Sequence, residues 1–124
     1  MTIVCVDDHP ILREGLVQDV KKLLPQADVS AFGDANGALS FVKENGCDIL
    51  ISEIELSGLD GLTLAKHVKK LHPEVNIIFF TVCDEKEHAR EVLKIKPSGY
   101  LVKPASTEQL AAELRNLRYS MPET

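Results

Sequence analysis

The amino-acid sequence predicts a doubly wound α/β domain, in which helices cover both faces of a parallel β-sheet. The first observation is that short strand-like runs, too brief for helices and mostly apolar, recur five times along the 124 residues. The second is that segments with apolar residues at three- and four-residue steps, the helical period, separate these runs. The third is the run at 49–52, bounded by charged residues, which is typical of a strand buried on both faces. Strands that alternate with helices form right-handed βαβ units and therefore a parallel sheet.

The first half of the chain predicts two strand–helix pairs. Residues 2–6 form the first strand, and Pro10 at a first helical position starts a helix that runs to about residue 24. The recurring apolar residues of this helix are Ile11, Leu12, Leu16, Val20, Leu23 and Leu24. Residues 28–32 predict a second strand, and the helix after it ends where Gly46 provides a C-cap.

The third strand, at 49–52, is followed by a predicted helix at 62–72 and by residues 75–82, the most strand-like run in the chain. Asp84 then begins a charged helix. The inner positions are expected to be Leu62, Leu64, Ala65, Val68 and Leu71 in the first of these helices and His88, Val92, Leu93 and Ile95 in the second.

Residues 99–102 predict a fifth strand, and residues 106–109 resemble a capping box that opens the last helix. Five strands in this alternation favour a flavodoxin-like (βα)5 sheet with the strand order 2-1-3-4-5. We expect one domain over residues 1–119. Residues 120–124 are then a tail or the start of a linker to an output domain.

The composition is that of a single globular domain and argues against some classes of function. The chain is 44% hydrophobic and 27% charged, and it is long enough to bury a core of its own. The net charge of −5 argues against a nucleic-acid-binding surface. No apolar run approaches the roughly 20 residues that cross a bilayer, so we expect a cytoplasmic protein without a membrane partner. Cys5, Cys47 and Cys83 have no zinc or redox spacing, and we expect reduced, half-buried thiols.

Polar residues follow four of the predicted strands. In the order 2-1-3-4-5, the carboxyl ends of strands 1, 3, 4 and 5 lie side by side. The residues at these ends are Asp7, Asp8, Glu53, Thr81 and Lys103. Three carboxylates in one cleft repel one another unless a cation such as Mg²⁺ joins them, and a hydroxyl and an ammonium opposite them suit a phosphoryl group. Taken singly, each residue has a structural alternative: helix capping for Asp7, a solvated position after the strand for Glu53, a surface position for Lys103.

These residues lie in motifs that resemble the receiver domain of bacterial two-component response regulators. The motifs are the opening Val-Cys-Val-Asp-Asp-His-Pro-Ile-Leu-Arg-Glu-Gly-Leu at 4–16, the loop Gly-Leu-Asp-Gly-Leu at 58–62, Thr81, and Gly-Tyr-Leu-Val-Lys-Pro at 99–104. The opening is similar to that of the LuxR/NarL-type subfamily. The resemblance covers residues 1 to about 119.

The resemblance implies a role for each site residue. The Mg²⁺ ligands would be Asp7, Asp8, Glu53 and the main-chain carbonyl of Glu55. Thr81 and Lys103 would contact the phosphoryl group, and Thr81 and Tyr100 would act as switch residues, with the tyrosine turning inward or outward. The Lys103-Pro104 peptide bond is expected to be cis. The implied partner is a sensor histidine kinase, another signalling protein, or a second copy bound through helix 4, strand 5 and helix 5.

Position 53 departs from the family, which phosphorylates an aspartate at the end of strand 3. Glu53 is longer by one C–C bond, on the order of 1.5 Å, and displacements of about 1 Å can cost on the order of 100-fold in rate. We therefore predict weak or absent Mg²⁺ binding and little phosphoryl transfer. The extra length carries negative charge toward Thr81 and Lys103. Glu53 is then either an imperfect mimic of the phosphorylated state or a partner of Lys103 that locks an inactive state.

Three further positions depart from the family pattern: Val82 after the threonine, Ser57 in place of proline, and Lys96-Pro97 before strand 5. They favour an atypical, phosphorylation-independent receiver that acts as a regulatory interaction module and not as an enzyme. One alternative is a conventional Mg²⁺-dependent phosphoacceptor that regulates transcription through an output domain outside this sequence. Another is an unrelated flavodoxin-like domain for a nucleotide or flavin, which the lack of a glycine-rich phosphate loop disfavours.

Overall fold

Five parallel strands form one sheet at the centre of this protein, seen in a computed structural model that describes residues 1–84 and 86–120. The strands are β1 (Thr2–Val6), β2 (Asp28–Phe32), β3 (Ile49–Ser52), β4 (Asn76–Thr81) and β5 (Gly99–Val102). The helices are α1 (Pro10–Leu23), α2 (Ala35–Asn45), α3 (Gly61–Leu71), α4 (Ala89–Ile95) and α5 (Thr107–Arg115). The strand order is β2-β1-β3-β4-β5, and every neighbouring pair is parallel. The predicted fold class and strand order are confirmed.

The sheet separates two apolar cores, because successive side chains of a strand point to opposite faces. In β1, Ile3 and Cys5 join the core beneath α1 and α5, whereas Val4 and Val6 join the core beneath α2, α3 and α4. All four side chains are fully buried. Both faces of the central strands are therefore buried, which is why the sequence shows continuous apolar runs in their middle and not an alternating pattern.

Several predicted helix boundaries are confirmed by their hydrogen bonds. The hydroxyl of Ser106 accepts a bond from the main-chain N–H of Gln109, whose side chain accepts the N–H of Ser106 in return, so the capping box is present. Gly46 ends α2 with φ of 80°, a left-handed value that favours glycine. The Lys103-Pro104 bond is cis, as expected.

The predicted start of the fourth helix is wrong. The helix begins at Ala89 and not at Asp84, because the Asp84 side chain and carbonyl accept the main-chain N–H groups of Lys86 and Glu87 and form turns instead. His88 is the N-cap residue and only half-buried. Leu93, predicted to face inward, is 74% exposed, since this seven-residue helix turns only Val92 and Ile95 toward the core.

Three other apolar residues with the helical period are exposed. Ile11 and Leu12 begin α1 beside the ends of β4 and β5, where they line an open groove with Phe80 and not the core. Leu71 is the last residue of α3 and is 45% exposed. The periodic pattern predicted these residues as part of the inner face, but helix ends overhang the sheet.

The cysteines are buried and free, where the sequence had suggested half-burial. Burial raises the pKa of Cys5 to about 12 and is the first cause of the raised pKa of Cys47, also about 12. Both thiols are therefore neutral at physiological pH. Within the part of the chain that the structure describes, no helix combines the length and apolar character needed to span a membrane.

The end of the described chain is attached to the sheet. Asn76 is 1% exposed, its Oδ1 accepts the main-chain N–H of Tyr119 at 2.8 Å, and its Nδ2 donates to the carbonyl of Tyr119 at 3.0 Å. The domain over residues 1–119 stays a prediction, and most of the predicted tail at 120–124 lies outside the described residues, which end at Ser120.

Candidate functional site

The carboxyl end of β1 places the first two acidic residues of the site. Asp7 directly follows the strand, and its main-chain N–H donates to the carbonyl of Phe32 at 3.1 Å, which extends the pairing with β2. Its side chain is buried, with Oδ1 accepting the N–H of His9 at 2.9 Å. Arg13 of α1 donates to the carbonyl of Asp7 at 2.9 Å. Asp7 is thus held from both its main chain and its side chain.

Glu53 follows β3 and is only 2% exposed. Its Oε1 accepts the main-chain N–H of Ile54 at 2.8 Å, with a longer contact of 3.4 Å from the N–H of Glu55. Its Oε2 accepts the main-chain N–H of Val82 at 3.3 Å and the ammonium of Lys103 at 3.0 Å. A buried carboxylate needs such donors, because moving its charge out of water costs free energy unless hydrogen bonds replace those that water made. The alternative that Glu53 is a solvated residue after the strand is therefore wrong.

Lys103, at the end of β5, joins the two buried carboxylates. Its Nζ donates to Asp7 Oδ2 and to Glu53 Oε2, and it lies 5.6 Å from the centre of the Phe80 ring. Burial alone would lower the pKa of Lys103, but the hydrogen bonds and negative charges of Asp7 and Glu53 outweigh it and raise the pKa above the ordinary value. The side chain is 9% exposed. One ammonium therefore faces two buried carboxylates.

The two predicted switch residues both contact the loop after β4. Thr81 is fully buried, and its Oγ1 accepts the main-chain N–H of Cys83 at 3.1 Å. Tyr100 lies half-buried in β5 with its ring centre 6.1 Å from that of Phe79, and its hydroxyl donates to the carbonyl of Cys83 at 2.9 Å. Tyr100 is thus turned inward, and both side chains hold the loop at Cys83.

Asp8 lies at the outer side of the cluster. Its Oδ1 is buried and accepts no hydrogen bond in the described structure, although His9 Nδ1 is 3.2 Å away. Oxygen atoms of Asp7 and Asp8 and a ring nitrogen of His9 all lie within 4.8 Å of one another. An unsatisfied carboxylate oxygen beside a second carboxylate fits a hard divalent cation such as Mg²⁺.

Lys103 contacts both Asp7 and Glu53, and Asp8 lies beside Asp7. Thr81 bonds instead to the main-chain N–H of Cys83. The side chain of Glu55, whose carbonyl was the fourth predicted Mg²⁺ ligand, lies elsewhere, 3.2 Å from the sulfur of Cys83.

Sequence reasoning missed the main-chain donors at Ile54 and Val82, which hold Glu53. Main-chain N–H groups have no residue signature, so only the fold could reveal them. It also missed His9, although the run Asp-Asp-His at 7–9 contains the signal.

Comparison with known proteins identifies the family. The profile of the response regulator receiver domain matches residues 3–115. The oxygen regulatory protein NreC of Staphylococcus haemolyticus is 30% identical over 94% of this chain and 54% of its own length. The transcriptional regulatory protein DegU of Brevibacillus brevis is 28% identical over 87% of this chain and 46% of its own length. This chain thus spans about half the length of these relatives.

Solved structures agree with the fold. A LuxR-family two-component response regulator from Aurantimonas sp. SI85-9A1 superposes with a TM-score of 0.81 at 28% identity, covering 92% of this chain and 81% of that chain. RcsB of Salmonella enterica serovar Typhimurium, bound to promoter rprA in the presence of phosphomimetic BeF3-, gives a TM-score of 0.80 at 25% identity, covering 97% and 69% of the two chains.

Proposed function

Because this chain belongs to the response regulator receiver domain family, with neighbours of the LuxR/NarL type, we propose that it is a receiver whose signalling does not require phosphorylation. Receiver domains interact with sensor kinases and other signalling proteins in two-component systems. In this proposal the domain regulates such a partner by protein–protein interaction and performs no phosphoryl transfer of its own.

The observation that carries the proposal is the bonding of the Glu53 carboxylate. Both of its oxygens are engaged by donors, and Oε2 takes the ammonium of Lys103 and the N–H of Val82. By resemblance Lys103 is a ligand of the phosphoryl group. A carboxylate that already binds this lysine competes with an incoming phosphoryl group for it, and oxygens that accept hydrogen bonds are weaker nucleophiles.

The ion pair between Glu53 and Lys103 belongs to both alternatives, partial mimicry of the phosphorylated state and an inactive lock. The Glu53 carboxylate supplies negative charge to Lys103 and Val82 but not to Thr81, whose hydroxyl accepts the N–H of Cys83. Tyr100, which by resemblance turns inward or outward as the domain switches, is turned inward here. The Glu53 carboxylate carries one negative charge, whereas a phosphoryl group carries nearly two, so any mimicry by Glu53 is partial.

Mg²⁺ fits the oxygen atoms of Asp7 and Asp8, and the main-chain carbonyl of Glu55 would complete the protein ligands. When bound, the ion would stabilise negative charge on phosphoryl oxygens. In this chain the ammonium of Lys103 already neutralises one oxygen of Asp7. We therefore expect weaker Mg²⁺ binding than in a receiver whose lysine leaves Asp7 free.

The remaining parts of the proposal concern the surroundings of the domain. A homodimer through α4, β5 and α5, the absence of direct nucleic-acid binding and a cytoplasmic location all stay predictions from the sequence. The output of the whole protein also stays open, because relatives are about twice as long as this chain.

The test uses acetyl phosphate and Mg²⁺, with intact mass as the readout. Transfer would form an acyl phosphate on the side chain at position 53 and release acetate. We expect Glu53→Asp to gain one phosphoryl group, while the native chain and Glu53→Gln stay unmodified. Modification of the native chain would overturn the proposal in favour of the conventional phosphoacceptor. If neither the native chain nor Glu53→Asp is modified, residues other than Glu53 also prevent phosphoryl transfer, and Val82 is the next to be substituted.

A second measurement separates mimic from lock. Hydrogen exchange of the loop after β4 is compared among the native chain, unmodified Glu53→Asp and phosphorylated Glu53→Asp. Partial mimicry predicts that this loop of the native chain is protected from exchange to a degree between those of the unmodified and the phosphorylated Glu53→Asp variant. Protection identical to that of the unmodified Asp variant would contradict it and favour a lock.

A further inference from the structure

A second group of potential ligands lies outside the acidic site, in the loops after β3 and β4. It consists of Glu55, Cys83, Glu87 and His88. Each offers one ligand atom, and the four atoms all lie within 4.8 Å of one another. We propose that this group binds a transition-metal ion, with Zn²⁺ as the ion that fits it best.

The donor types decide which ion fits. The group offers one sulfur, one imidazole nitrogen and two carboxylate oxygens, a set that suits Zn²⁺ and does not suit Mg²⁺, which prefers oxygen. This is therefore not a solvated acidic cluster, since half of its donors are sulfur and nitrogen.

The distances also fit a tetrahedral site. Zn²⁺ bonds of about 2.0–2.3 Å place neighbouring ligand atoms roughly 3.3–3.8 Å apart. The sulfur of Cys83 already lies 3.2 Å from Oε1 of Glu55. The remaining separations, which are at most 4.8 Å, need to shorten by up to about 1.5 Å. Rotation of the exposed side chain of Glu87 and the half-buried side chain of His88 can supply this change.

The thiol of this group is buried, whereas its carboxylates lie at the surface. Cys83 is 1% exposed, whereas Glu55 and Glu87 are exposed, so an ion can approach from solvent and meet the thiol last. Burial raises the pKa of the Cys83 thiol to about 11. The hydrogen bond with Thr81 lowers this pKa, whereas the neighbouring Glu55 raises it. An incoming ion would displace the thiol proton, which now bonds to Glu55, and release it to solvent.

Metal binding at this place would fix the loop that the switch residues contact. Glu55 belongs to the loop between β3 and α3, whereas Cys83 and His88 belong to the loop between β4 and α4. The carbonyl of Cys83 is also where the hydroxyl of Tyr100 donates. An ion here would therefore join two loops at a point that Tyr100 touches.

This group of ligands is separate from the carboxylate of Glu53. In the described structure the Glu53 carboxylate forms no hydrogen bond or ion pair with these four side chains. Glu55 would use its side chain here, whereas its predicted Mg²⁺ ligand is its main-chain carbonyl. The ion would bind whether or not position 53 accepts a phosphoryl group.

The test uses Co²⁺ as a spectroscopic probe, in excess Mg²⁺ to occupy the acidic site. A thiolate ligand gives a sulfur-to-cobalt charge-transfer band, and a tetrahedral site gives strong visible absorption. We expect both features at one ion per chain, with displacement by one equivalent of Zn²⁺. Cys83→Ser should lose the charge-transfer band. His88→Gln should weaken Zn²⁺ binding at least tenfold in calorimetric titration.

Matched variants exclude other sites. Cys47→Ser removes another buried thiol, His67→Gln removes an exposed histidine of α3, and Asp8→Asn removes a ligand of the acidic site. All three should keep the charge-transfer band and the Zn²⁺ affinity. Absence of the band in the native chain, its persistence in Cys83→Ser, or its loss in Asp8→Asn would each overturn the proposal. Circular dichroism of each variant establishes that it is folded, so loss of binding is not loss of structure.

Discussion

Gly61 is the position at which the smallest change should disturb the site most. It is the first residue of α3, and its N–H donates to the carbonyl of Ile54 at 2.8 Å, which holds the helix against the loop after β3. A Cβ atom added at Gly61 would lie 1.9 Å from the main-chain oxygen of Glu53 and 2.9 Å from the Cα of Ile54. The glycine is required by this close approach of two backbones.

The structure sets the magnitude for Gly61→Ala. Ordinary contact begins at 3.4 Å, so the helix or the main chain of Glu53 must move by about 1.5 Å. Overpacking typically costs 1–3 kcal/mol, and here we expect about 3 kcal/mol because the obstructing atoms belong to the backbone. For a domain of this length, that corresponds to a fall in Tm of roughly 12 °C.

The assay is urea unfolding together with thermal melting, with Gly15→Ala as the matched control. Gly15 lies exposed inside α1, and its added Cβ would meet nothing within 4 Å. That variant should gain about 0.5–1 kcal/mol, because alanine favours the helix. The same substitution is thus expected to lower the free energy of unfolding at Gly61 and to raise it at Gly15. A loss below about 1 kcal/mol at Gly61, or an equal loss at Gly15, would refute the reasoning.

Two further predictions concern stability. Asn76→Ala should lower the free energy of unfolding by about 2–3 kcal/mol, which urea unfolding measures. The substitution removes the hydrogen-bond partner of the Ser98 hydroxyl and of the main-chain N–H and carbonyl of Tyr119. Lys96→Gly should raise the free energy of unfolding by about 1 kcal/mol, which thermal melting measures. Lys96 ends α4 with φ of 57°, a left-handed conformation that is costly for a residue with a Cβ.

Each of these predictions has a control in the same chain. Asn45→Ala alters an exposed asparagine of α2 and should change the free energy of unfolding by less than about 0.5 kcal/mol. Lys94→Gly, inside α4, should destabilise by about 1 kcal/mol, since the helix there is right-handed. Equal losses at Asn76 and Asn45, or a loss at Lys96, would contradict these arguments.

The strands were the most predictable part of the fold. The bounds of β1, β2, β3 and β5 agree with the ranges read from the sequence, and β4 is only one residue shorter at each end. Most of these segments are short apolar runs bounded by charged or turn residues, so local composition is enough to identify them. Because the central strands β1, β3 and β4 are buried on both faces, their composition also indicated a parallel sheet.

The helix surfaces were less predictable, because exposure depends on what lies opposite. Ile11, Leu12, Leu71 and Leu93 all follow the helical period, yet all are exposed. Each lies at a helix end or on a short helix, where the apolar face extends past the sheet. The start of α4 was also misplaced, since Asp84 can stabilise either a helix or the turns that it forms here.

The sequence by itself determined which side chains stand at the carboxyl edge of the sheet, because strand order and strand ends follow from local patterns and chain connectivity. Only the tertiary structure decided how Asp7, Glu53 and Lys103 share their hydrogen bonds, since their distances join residues up to 96 positions apart. It likewise decided that the N–H of Val82 reaches Glu53 and that Glu55 lies beside Cys83. Main-chain donors and contacts between separate loops arise from packing in three dimensions, which no local pattern encodes.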